Sequence, residues 1–379
     1  MSQPRVALAG FYGLGNYGDD LMAHICAVHL AEHGIPCTLF SLGEGDRDSL
    51  ATPEFLRAGL RSTNDARALV QGADILVWGG GGLLVSWKER VYRRRFPGVA
   101  EKFDRLVRLA RDQGLVRCAI SVGGNDGTDT ALSPDYKRLF LDGARYVSVR
   151  NPSDLGLLRA LGIDGDCFPD LVWRAGNREP VRRRSAGPMR IGLDIYFSNL
   201  GDQKALHFGL LLQALAWKCP DVTFVCLNST RRAAGSSMGF HRWIRGKNVE
   251  HYQFHDFDRD ASMLAGLDLL VSSRLHVPMV CLGHGVPVVW TFCEQKTRLF
   301  LQTIGLSEMN YGHGRMAEFV RMISTPEQLA SFLARYPFPD TESLFRASGG
   351  HLQKLVEVVR STRTDSASAG RDLDPQPAS

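Results

Sequence analysis

Short apolar runs and amphipathic segments alternate along the first part of the chain. Apolar runs at residues 6–9, 75–78 and 118–122 predict buried strands. Between them, residues 19–32 and 100–113 carry apolar positions at helical spacing. This alternation predicts a parallel sheet that is covered by helices on both faces.

The pattern breaks at residues 174–188, where glycine, proline and a run of arginines are typical of a linker. Further strands and helices are then predicted at residues 191–195, 205–217, 222–227, 267–272, 286–292, 295–304, 326–335 and 342–360. We therefore expect two Rossmann-like domains, at residues 1–175 and 189–361. A cleft between two such domains is a favoured ligand site.

The composition is that of a soluble globular protein, with 44% hydrophobic and 22% charged residues. No run reaches the roughly 18 to 20 apolar residues of a membrane-spanning helix. Residues 1–5 lead directly into a predicted strand and not into a signal peptide, so we expect a cytoplasmic protein. Residues 362–379 are rich in Ser, Ala, Asp and Pro, which predicts a disordered tail.

Cysteine and histidine spacing gives no indication of a metal site. The eight cysteines form no Cys-x-x-Cys pair and lie mostly in apolar segments, which predicts buried thiols. The formal net charge of +5 is concentrated in arginine runs at residues 93–95 and 182–184. Such runs are usually solvated, and they can also bind acidic glycans or a membrane surface.

An arginine and a histidine follow the predicted strand 267–272. Arg274 and His276 would lie at the carboxyl end of that strand, beside a helix that begins near Leu275. Ligands bind at this edge of open α/β sheets, and helix N-termini attract anions. The alternative interpretation is a buried arginine with a serine of this segment as a helix cap.

A Gly-x-Gly-x-x-Gly sequence spans residues 13–18, between a predicted strand and a predicted helix. This pattern suggests dinucleotide binding. However, the helix opens with two aspartates, which would repel a pyrophosphate. The other interpretation is a glycine turn that brings Gly15, Asn16 and Asp19 into the cleft, with Asp19 as a general base.

Two further strand ends carry candidate ligand-binding residues. Four glycines, including Gly80 and Gly81, follow strand 75–78 without the Lys-Ser/Thr of a P-loop, and they permit close approach of a ligand. Arg150 ends a strand in the first domain as Arg274 does in the second. Lys296 opens a helix just past another strand, although a surface lysine is the simpler interpretation.

These segments in this order resemble the polysaccharide pyruvyl transferase family. The matching segments are Gly13 to Asp20, Gly79-Gly80-Gly81-Gly82-Leu83, Ser148-Val149-Arg150, Pro169-Asp170-Leu171-Val172, Ser273-Arg274-Leu275-His276, Gly285-Val286-Pro287-Val288-Val289 and Lys296. The resemblance implies a GT-B-like fold, with two Rossmann-like domains whose parallel sheets face a central cleft. It also implies phosphoenolpyruvate as donor and a pyruvate ketal on a sugar as product, with no cofactor and no metal.

The resemblance also implies roles for individual residues. Arg150, Arg274 and Lys296 would bind the phosphate and carboxylate of the donor, and Ser273 and Leu275 belong to the same donor-side motif. In the mechanism that we expect, His276 would protonate the methylene carbon of the donor or assist the departure of phosphate, and Asp19 or another carboxylate of the first domain would accept protons from the acceptor hydroxyls.

The sequence departs from the family pattern on the side where the acceptor is expected. Asn151 replaces an aspartate, and residues 121–126 replace a glycine-rich segment. The expected acceptor is a glycan or a lipid-linked sugar, and the latter would bring the protein into peripheral contact with a membrane. Three other functions stay open: a nucleotide-sugar glycosyltransferase, a non-catalytic anion- or glycan-binding protein, and a dehydrogenase. Nucleic acid is not expected as a partner.

Overall fold

The computed structural model describes residues 3–44, 49–50, 55, 59–84, 98–124, 141–176, 187–196, 202–229, 244–254 and 256–369. The arginine runs at 93–95 and 182–184 lie outside the described residues, as do residues 125–126 and 370–379.

Two parallel β-sheets organise the chain. The N-terminal sheet contains β1 (Val6–Ala9), β2 (Cys37–Phe40), β3 (Arg61–Thr63), β4 (Ile75–Gly79), β5 (Val116–Val122), β6 (Tyr146–Val149) and β7 (Asp166–Cys167). The C-terminal sheet contains β8 (Met189–Asp194), β9 (Val222–Asn228), β10 (Val249–Gln253), β11 (Leu269–Ser272) and β12 (Val288–Trp290). The two strand orders are β3-β2-β1-β4-β5-β6-β7 and β10-β9-β8-β11-β12. Both therefore begin with the doubly wound order of a Rossmann fold.

Helices cover both sheets. They are α1 (Tyr17–Glu32), α2 (Ala66–Gln71), α3 (Val99–Asp112), α4 (Pro152–Ala160), α5 (Asp202–Lys218), α6 (Phe257–Ala265), α7 (His276–Gly283), α8 (Gln295–Thr303), α9 (Met316–Ile323), α10 (Pro326–Ala334), α11 (Thr341–Ser348) and α12 (Gly350–Ala369). The single helix predicted at 342–360 is wrong, because the chain breaks at the Gly349–Gly350 pair into α11 and α12. Helix α12 contains no Pro or further Gly, and it continues to Ala369, beyond the predicted start of the tail at 362.

Alternating apolar residues on the strands build cores on both faces of each sheet. Along β1, Val6 and Leu8 belong to one cluster of buried side chains, whereas Ala7 and Ala9 belong to another. The cluster of Val6 and Leu8 continues into the C-terminal half, where it includes Leu270. The two halves therefore share one hydrophobic core.

The last helix returns to the first half of the molecule. Although its residues 350–361 fall within the predicted second domain, α12 packs on β5 and β6 and on α1. The chain first leaves the N-terminal half after Gly176, and this point is tightly packed. A Cβ on Gly176 would stand 3.1 Å from the Gly283 Cα. The chain thus passes between the halves twice.

The strand orders fix where ligands are expected. In an open parallel sheet, the crevice lies at the carboxyl ends of the two strands where the order reverses. These strands are β1 and β4 in the N-terminal sheet, and β8 and β11 in the C-terminal sheet. The predicted residues around Asp19, Gly80 and Arg274 follow these strands directly.

Candidate functional site

The two crevices meet where His276 packs on Gly18. His276 begins α7 after β11, and Gly18 lies in the first turn of α1 after β1. A Cβ added to Gly18 would collide with the His276 ring, so only glycine allows this approach. Beside it, the backbone N–H of Tyr17 donates to the carbonyl of Ser229, with N and O 3.3 Å apart. The first turns of α1 and α7 therefore face each other across the two halves.

A buried ion pair lies next to the His276 ring. Arg150 Nη1 donates to Asp170 Oδ2 at 2.7 Å, and both side chains are only 4% exposed. His276 Nε2 lies 3.3 Å from Arg150 Nη1 and 3.8 Å from Asp170 Oδ2. The His276 side chain is 14% exposed. The structure thus joins an arginine and an aspartate of the N-terminal half to a histidine of the C-terminal half.

The contacts of Nε2 suit both protonation states of His276. A guanidinium only donates hydrogen bonds, so a neutral Nε2 can accept from Arg150. A protonated Nε2 can instead donate towards the Asp170 carboxylate. Nε2 therefore lies within hydrogen-bond distance of Arg150 and within ion-pair distance of Asp170.

Asp170 is held in its ionised form. Burial by itself would raise the pKa of this carboxyl group, but the charges of Arg150 and His276 outweigh burial and hold the pKa well below its usual value. Asp170 Oδ1 also accepts from the N–H of Val172, which caps the 3₁₀ turn Leu171–Ala175. In the sequence, Asp170 belongs to a family motif in which it has no assigned role. Its partner Arg150 is 20 residues away in sequence, so spacing gave no sign of the pair.

Glycine also creates the space for Arg150. A Cβ on Gly123 would stand 2.6 Å from Arg150 Nε, so the guanidinium passes directly over this backbone. The Arg150 N–H donates to the Val122 carbonyl, which fixes the chain at the end of β6. Because one Nη of Arg150 is bonded to Asp170, an anionic ligand would bind the remaining N–H groups.

Asp19 lies within electrostatic reach of this group. Burial raises the pKa of Asp19, and the positive charges of His276, Arg150 and Lys296 oppose that rise. Asn16 Nδ2 donates to Asp19 Oδ2 at 2.5 Å. A Cβ on Gly81, whose φ is +82°, would stand 3.0 Å from Asp19 Oδ1. The structure therefore brings Asp19, Asn16 and Gly81 together.

Lys296 lies in the first turn of α8. Its Nζ is 2.9 Å from Glu294 Oε2, and about one third of each side chain is exposed. Lys296 also acts electrostatically on Asp19, which places its charge near the group around His276. A partly exposed lysine that pairs with one carboxylate can exchange this partner for a ligand at small cost.

The glycine loop before α1 is closed by hydrogen bonds within the protein. The N–H of Gly13 donates to Asp20 Oδ1, and the N–H of Gly15 donates to Ser49 Oγ, each at 2.9 Å. The Ser49 hydroxyl donates to Asp20 Oδ2 at 2.6 Å. These N–H groups would have to bind a pyrophosphate in a dinucleotide site. Because these N–H groups already have partners within the protein, the loop does not suit dinucleotide binding. Gly15 was predicted to bind a ligand, but its N–H is bonded to Ser49.

Arg274 belongs to a second network at the ends of β8 and β11. Its Nη1 donates to Ser229 Oγ at 2.8 Å, and that hydroxyl donates to Asp194 Oδ1 at 2.6 Å. Its guanidinium carbon lies 5.0 Å from the centroid of the Tyr196 ring. Burial raises the pKa of Asp194, and the charge of Arg274 opposes that rise. Asp194 could not be predicted from sequence, because a strand-end aspartate has many other uses.

Three of the predicted ligand-binding residues have structural partners. Ser273 is buried, and its Oγ accepts from the N–H of Tyr196 at 2.7 Å. Leu275 packs in the core shared by the two halves. Gly80 has φ +66°, and a Cβ there would stand 2.5 Å from the sulfur of Met22. The side chains of Ser273 and Leu275 thus stabilise the fold.

The described residues show neither a metal centre nor a membrane span. No group of three or more His, Cys, Asp or Glu side chains among them could hold a metal ion. In this same part of the chain, every helix is too short or too polar to cross a membrane.

Comparisons with known proteins identify the family of the sequence and the class of the fold. Residues 16–291 match the model of the polysaccharide pyruvyl transferase family, a span that includes Asp19, Arg150, Asp170, Arg274 and His276. No curated protein sequence matches the chain.

Solved structures share the arrangement of the two sheets. S. aureus MnaA in complex with UDP has a TM-score of 0.59 at 9% identity, and the alignment covers 93% of this chain and 97% of that chain. For UDP-GlcNAc 2-epimerase from Neisseria meningitidis bound to UDP-GlcNAc, the TM-score is 0.56 at 12% identity, over 93% and 100% of the two chains. For an alpha-glucosyltransferase in complex with UDP and a 13-mer DNA, it is 0.52 at 9% identity, over 95% and 100%. The predicted GT-B-like α/β fold is confirmed.

Proposed function

The chain belongs to the polysaccharide pyruvyl transferase family, a family of glycan-modifying enzymes, and from this premise we propose that it transfers a pyruvyl group from phosphoenolpyruvate to a glycan. The product is a pyruvate ketal on two sugar hydroxyls, and phosphate is released. One observation carries the proposal: His276, the buried Arg150–Asp170 pair and Asp19 form one electrostatic group where the two halves meet.

The donor carries a phosphate and a carboxylate, so its site needs more than one cation. Lys296 and Arg274 open onto the carboxyl edge of the C-terminal sheet, and Arg150 has N–H groups beyond the one bonded to Asp170. Each charge-assisted hydrogen bond to the donor contributes about 1.5–3 kcal/mol. We assign the two anionic ends of phosphoenolpyruvate to these three side chains together.

His276 supplies the first proton. Its imidazolium gives the Nε2 proton to the methylene carbon of the donor, where a C–H bond forms and the C=C double bond is lost. The central carbon becomes cationic, and the neutral Nε2 then accepts a hydrogen bond from Arg150. Asp170 stabilises the charged ring before the transfer.

The acceptor hydroxyls complete the reaction. The first hydroxyl oxygen bonds to the cationic carbon, and its proton passes to Asp19. The carbon–oxygen bond to phosphate then breaks as the second hydroxyl oxygen bonds to the same carbon, and the second proton leaves with the phosphate. The proton on Asp19 returns to His276, so the enzyme is unchanged. A carboxyl group whose pKa is raised by burial suits this temporary storage.

The acceptor is a glycan or a lipid-linked sugar. The two departures from the family pattern flank this side: Asn151 Nδ2 donates to Asp154 Oδ2 at 2.9 Å, and the N–H of Gly124 donates to Asp154 Oδ1 at 3.1 Å. Asn151 and Gly124 are therefore joined through one carboxylate at the start of α4. A lipid-linked acceptor fits a cytoplasmic enzyme that touches a membrane without crossing it.

The direct test is to incubate the protein with phosphoenolpyruvate and a panel of glycans and lipid-linked sugars, and to measure phosphate. We expect acceptor-dependent phosphate release and a ketal on the recovered glycan. Binding of phosphoenolpyruvate should also raise the melting temperature. A rise with UDP- or GDP-sugars and none with phosphoenolpyruvate would instead indicate a glycosyltransferase.

Replacing Gly18 by alanine tests the contact between the two halves. Alanine in a helix normally stabilises by about 1 kcal/mol relative to glycine, but here the Cβ would displace the His276 ring. We expect turnover to fall by about tenfold or more, since a 1 Å misplacement can cost about a hundredfold. Gly156→Ala in α4 is the matched control, because nothing lies within 4 Å of a Cβ there. Equal activity of the two variants would contradict the proposed site.

Replacing Arg274 by alanine tests donor binding. If the guanidinium binds an anionic end of the donor, the Kd of phosphoenolpyruvate should rise by about a hundredfold or more. Isothermal titration calorimetry measures this directly. Arg315→Ala is the control, because Arg315 likewise lies over a tyrosine ring, at 4.5 Å from the centroid of Tyr311. A Kd close to that of the unchanged protein would mean that Arg274 serves only the Asp194 network.

A further inference from the structure

A buried histidine lies behind the Arg150–Asp170 pair, outside the proposed chemistry. His351 stands in the first turn of α12 and is 0% exposed. Both of its ring nitrogens have partners: Ser148 Oγ lies 2.8 Å from Nδ1, and the Pro169 carbonyl oxygen lies 3.1 Å from Nε2. A carbonyl only accepts hydrogen bonds, so Nε2 carries the proton and Nδ1 accepts from the Ser148 hydroxyl. Burial lowers the pKa of His351 to about 4, which keeps the ring neutral.

The two partners of His351 immediately precede the ion pair. Ser148 lies on β6, two residues before Arg150, and Pro169 is the residue before Asp170. The imidazole therefore connects the two chain segments that carry the arginine and the aspartate. A hydrophobic residue of the same size would fill the space without connecting them.

The surrounding packing is specific for a ring at this position. The Phe168 and His351 rings meet edge to face, with centroids 5.2 Å apart. A Cβ on Gly350 would collide with the Phe168 ring, so glycine lets the start of α12 approach this segment. The break between α11 and α12 thus brings His351 to Ser148 and Pro169.

We propose that His351 is a positioning residue for the reaction: it sets the spacing between Arg150 and Asp170 and, through them, the place of the His276 ring. The effect on turnover rests on the proposed function, whereas the effect on the geometry does not. The C-terminal helix then contributes to the active site through the positions of Arg150 and Asp170.

The test compares His351→Leu with His351→Gln and Ser148→Ala. Leucine removes both hydrogen bonds, glutamine keeps an acceptor and a donor, and Ser148→Ala removes one bond. We expect kcat of His351→Leu to fall by about 10- to 100-fold, and KM for phosphoenolpyruvate to rise as well, because Arg150 is one of the three cations assigned to the donor. His351→Gln should recover a large part of kcat, and the kcat of Ser148→Ala should lie between those of His351→Leu and His351→Gln. Each variant is compared at equal folded fraction, measured by circular dichroism.

His284→Leu is the matched control. His284 is also buried, but among the described residues neither of its ring nitrogens has a hydrogen-bond partner. This variant should retain the kcat of the unchanged protein. If His351→Leu behaves in the same way, or if His351→Gln is no better than His351→Leu, the positioning role is wrong.

A crystal structure of His351→Leu separates this inference from the proposed function. We expect the Arg150 Nη1–Asp170 Oδ2 distance to lengthen and the His276 ring to shift. If the unchanged protein releases no phosphate from phosphoenolpyruvate, the proposed function fails, and the crystal structure still decides the positioning role. An unchanged ion pair and an unchanged His276 ring would overturn it.

Discussion

Replacing His276 by asparagine should slow phosphate release from phosphoenolpyruvate by about 10²–10⁴-fold, the range that a positioned general acid contributes. Asparagine preserves polarity and approximate size, and it leaves the Arg150–Asp170 bond intact. Binding of the donor should change little, because the proposal assigns its charges to other side chains. Steady-state kinetics with a phosphate assay measures kcat, and calorimetry measures the donor affinity.

An exposed histidine of the C-terminal half serves as the control for His276. His251 lies on β10, the edge strand of the C-terminal sheet, so His251→Asn should have normal turnover. A normal rate for His276→Asn as well would leave a non-catalytic anion- or glycan-binding protein as the better interpretation.

Replacing Asp170 by asparagine should cost about 3–5 kcal/mol of unfolding free energy, because it leaves the buried charge of Arg150 without its partner. Urea denaturation at neutral pH measures this loss. The matched control is Glu250→Gln, since Glu250 forms a two-point contact with Arg190 at the surface and its side chain is 52% exposed. Removing that exposed pair should cost less than about 1 kcal/mol. Similar losses for both variants would contradict the buried ion pair.

The same pair predicts a pH dependence of stability. The pKa of Asp170 is lower in the folded protein than in the unfolded chain, where it is about 3.9. The folded state therefore gains stability from Asp170 above that value, and it loses this stability as the pH falls towards the folded pKa. Below about pH 4, Asp170→Asn should lose less further stability than the unchanged protein. Denaturation at pH 7 and at pH 3.5 gives the comparison.

Site residues that directly follow the end of a strand could be predicted from the sequence. Arg150 and His276 each follow an apolar run, and parallel strands present their carboxyl ends on one edge, so both could be assigned to a cleft. The fold class followed from the same alternation of strands and helices. A resemblance of ordered motifs added the family, which the match over residues 16–291 confirms.

The partners of these residues could not be predicted. Asp170 reaches Arg150 across 20 residues, and His351 reaches Ser148 across 203 residues. No periodicity encodes such distances, because the first depends on how the chain turns after β7 and the second on how α12 returns to the first sheet. The sequence also assigned Leu275 to the ligand, but a residue between two site residues at the start of a helix points elsewhere, here into the core.

The glycine-rich sequence before α1 shows how one pattern can serve two purposes. A dinucleotide-binding loop needs its N–H groups for phosphate, whereas here Asp20 and Ser49 accept from Gly13 and Gly15. Asp20 is thus the residue that distinguishes a loop closed by internal hydrogen bonds from a loop that binds phosphate. Asp19 remains for the cleft because Asp20 holds the loop.

The double passage of the chain between the halves limits how the enzyme can move. Halves joined by one connection can bend and twist about it, whereas a second crossing before Gly350, together with the close contact of Gly176 with Gly283, restrains that motion. A fragment ending at residue 291, the limit of the family match, would lack the helix that covers β5 and β6. We therefore expect that the N-terminal half of this enzyme does not fold when it is expressed without α12.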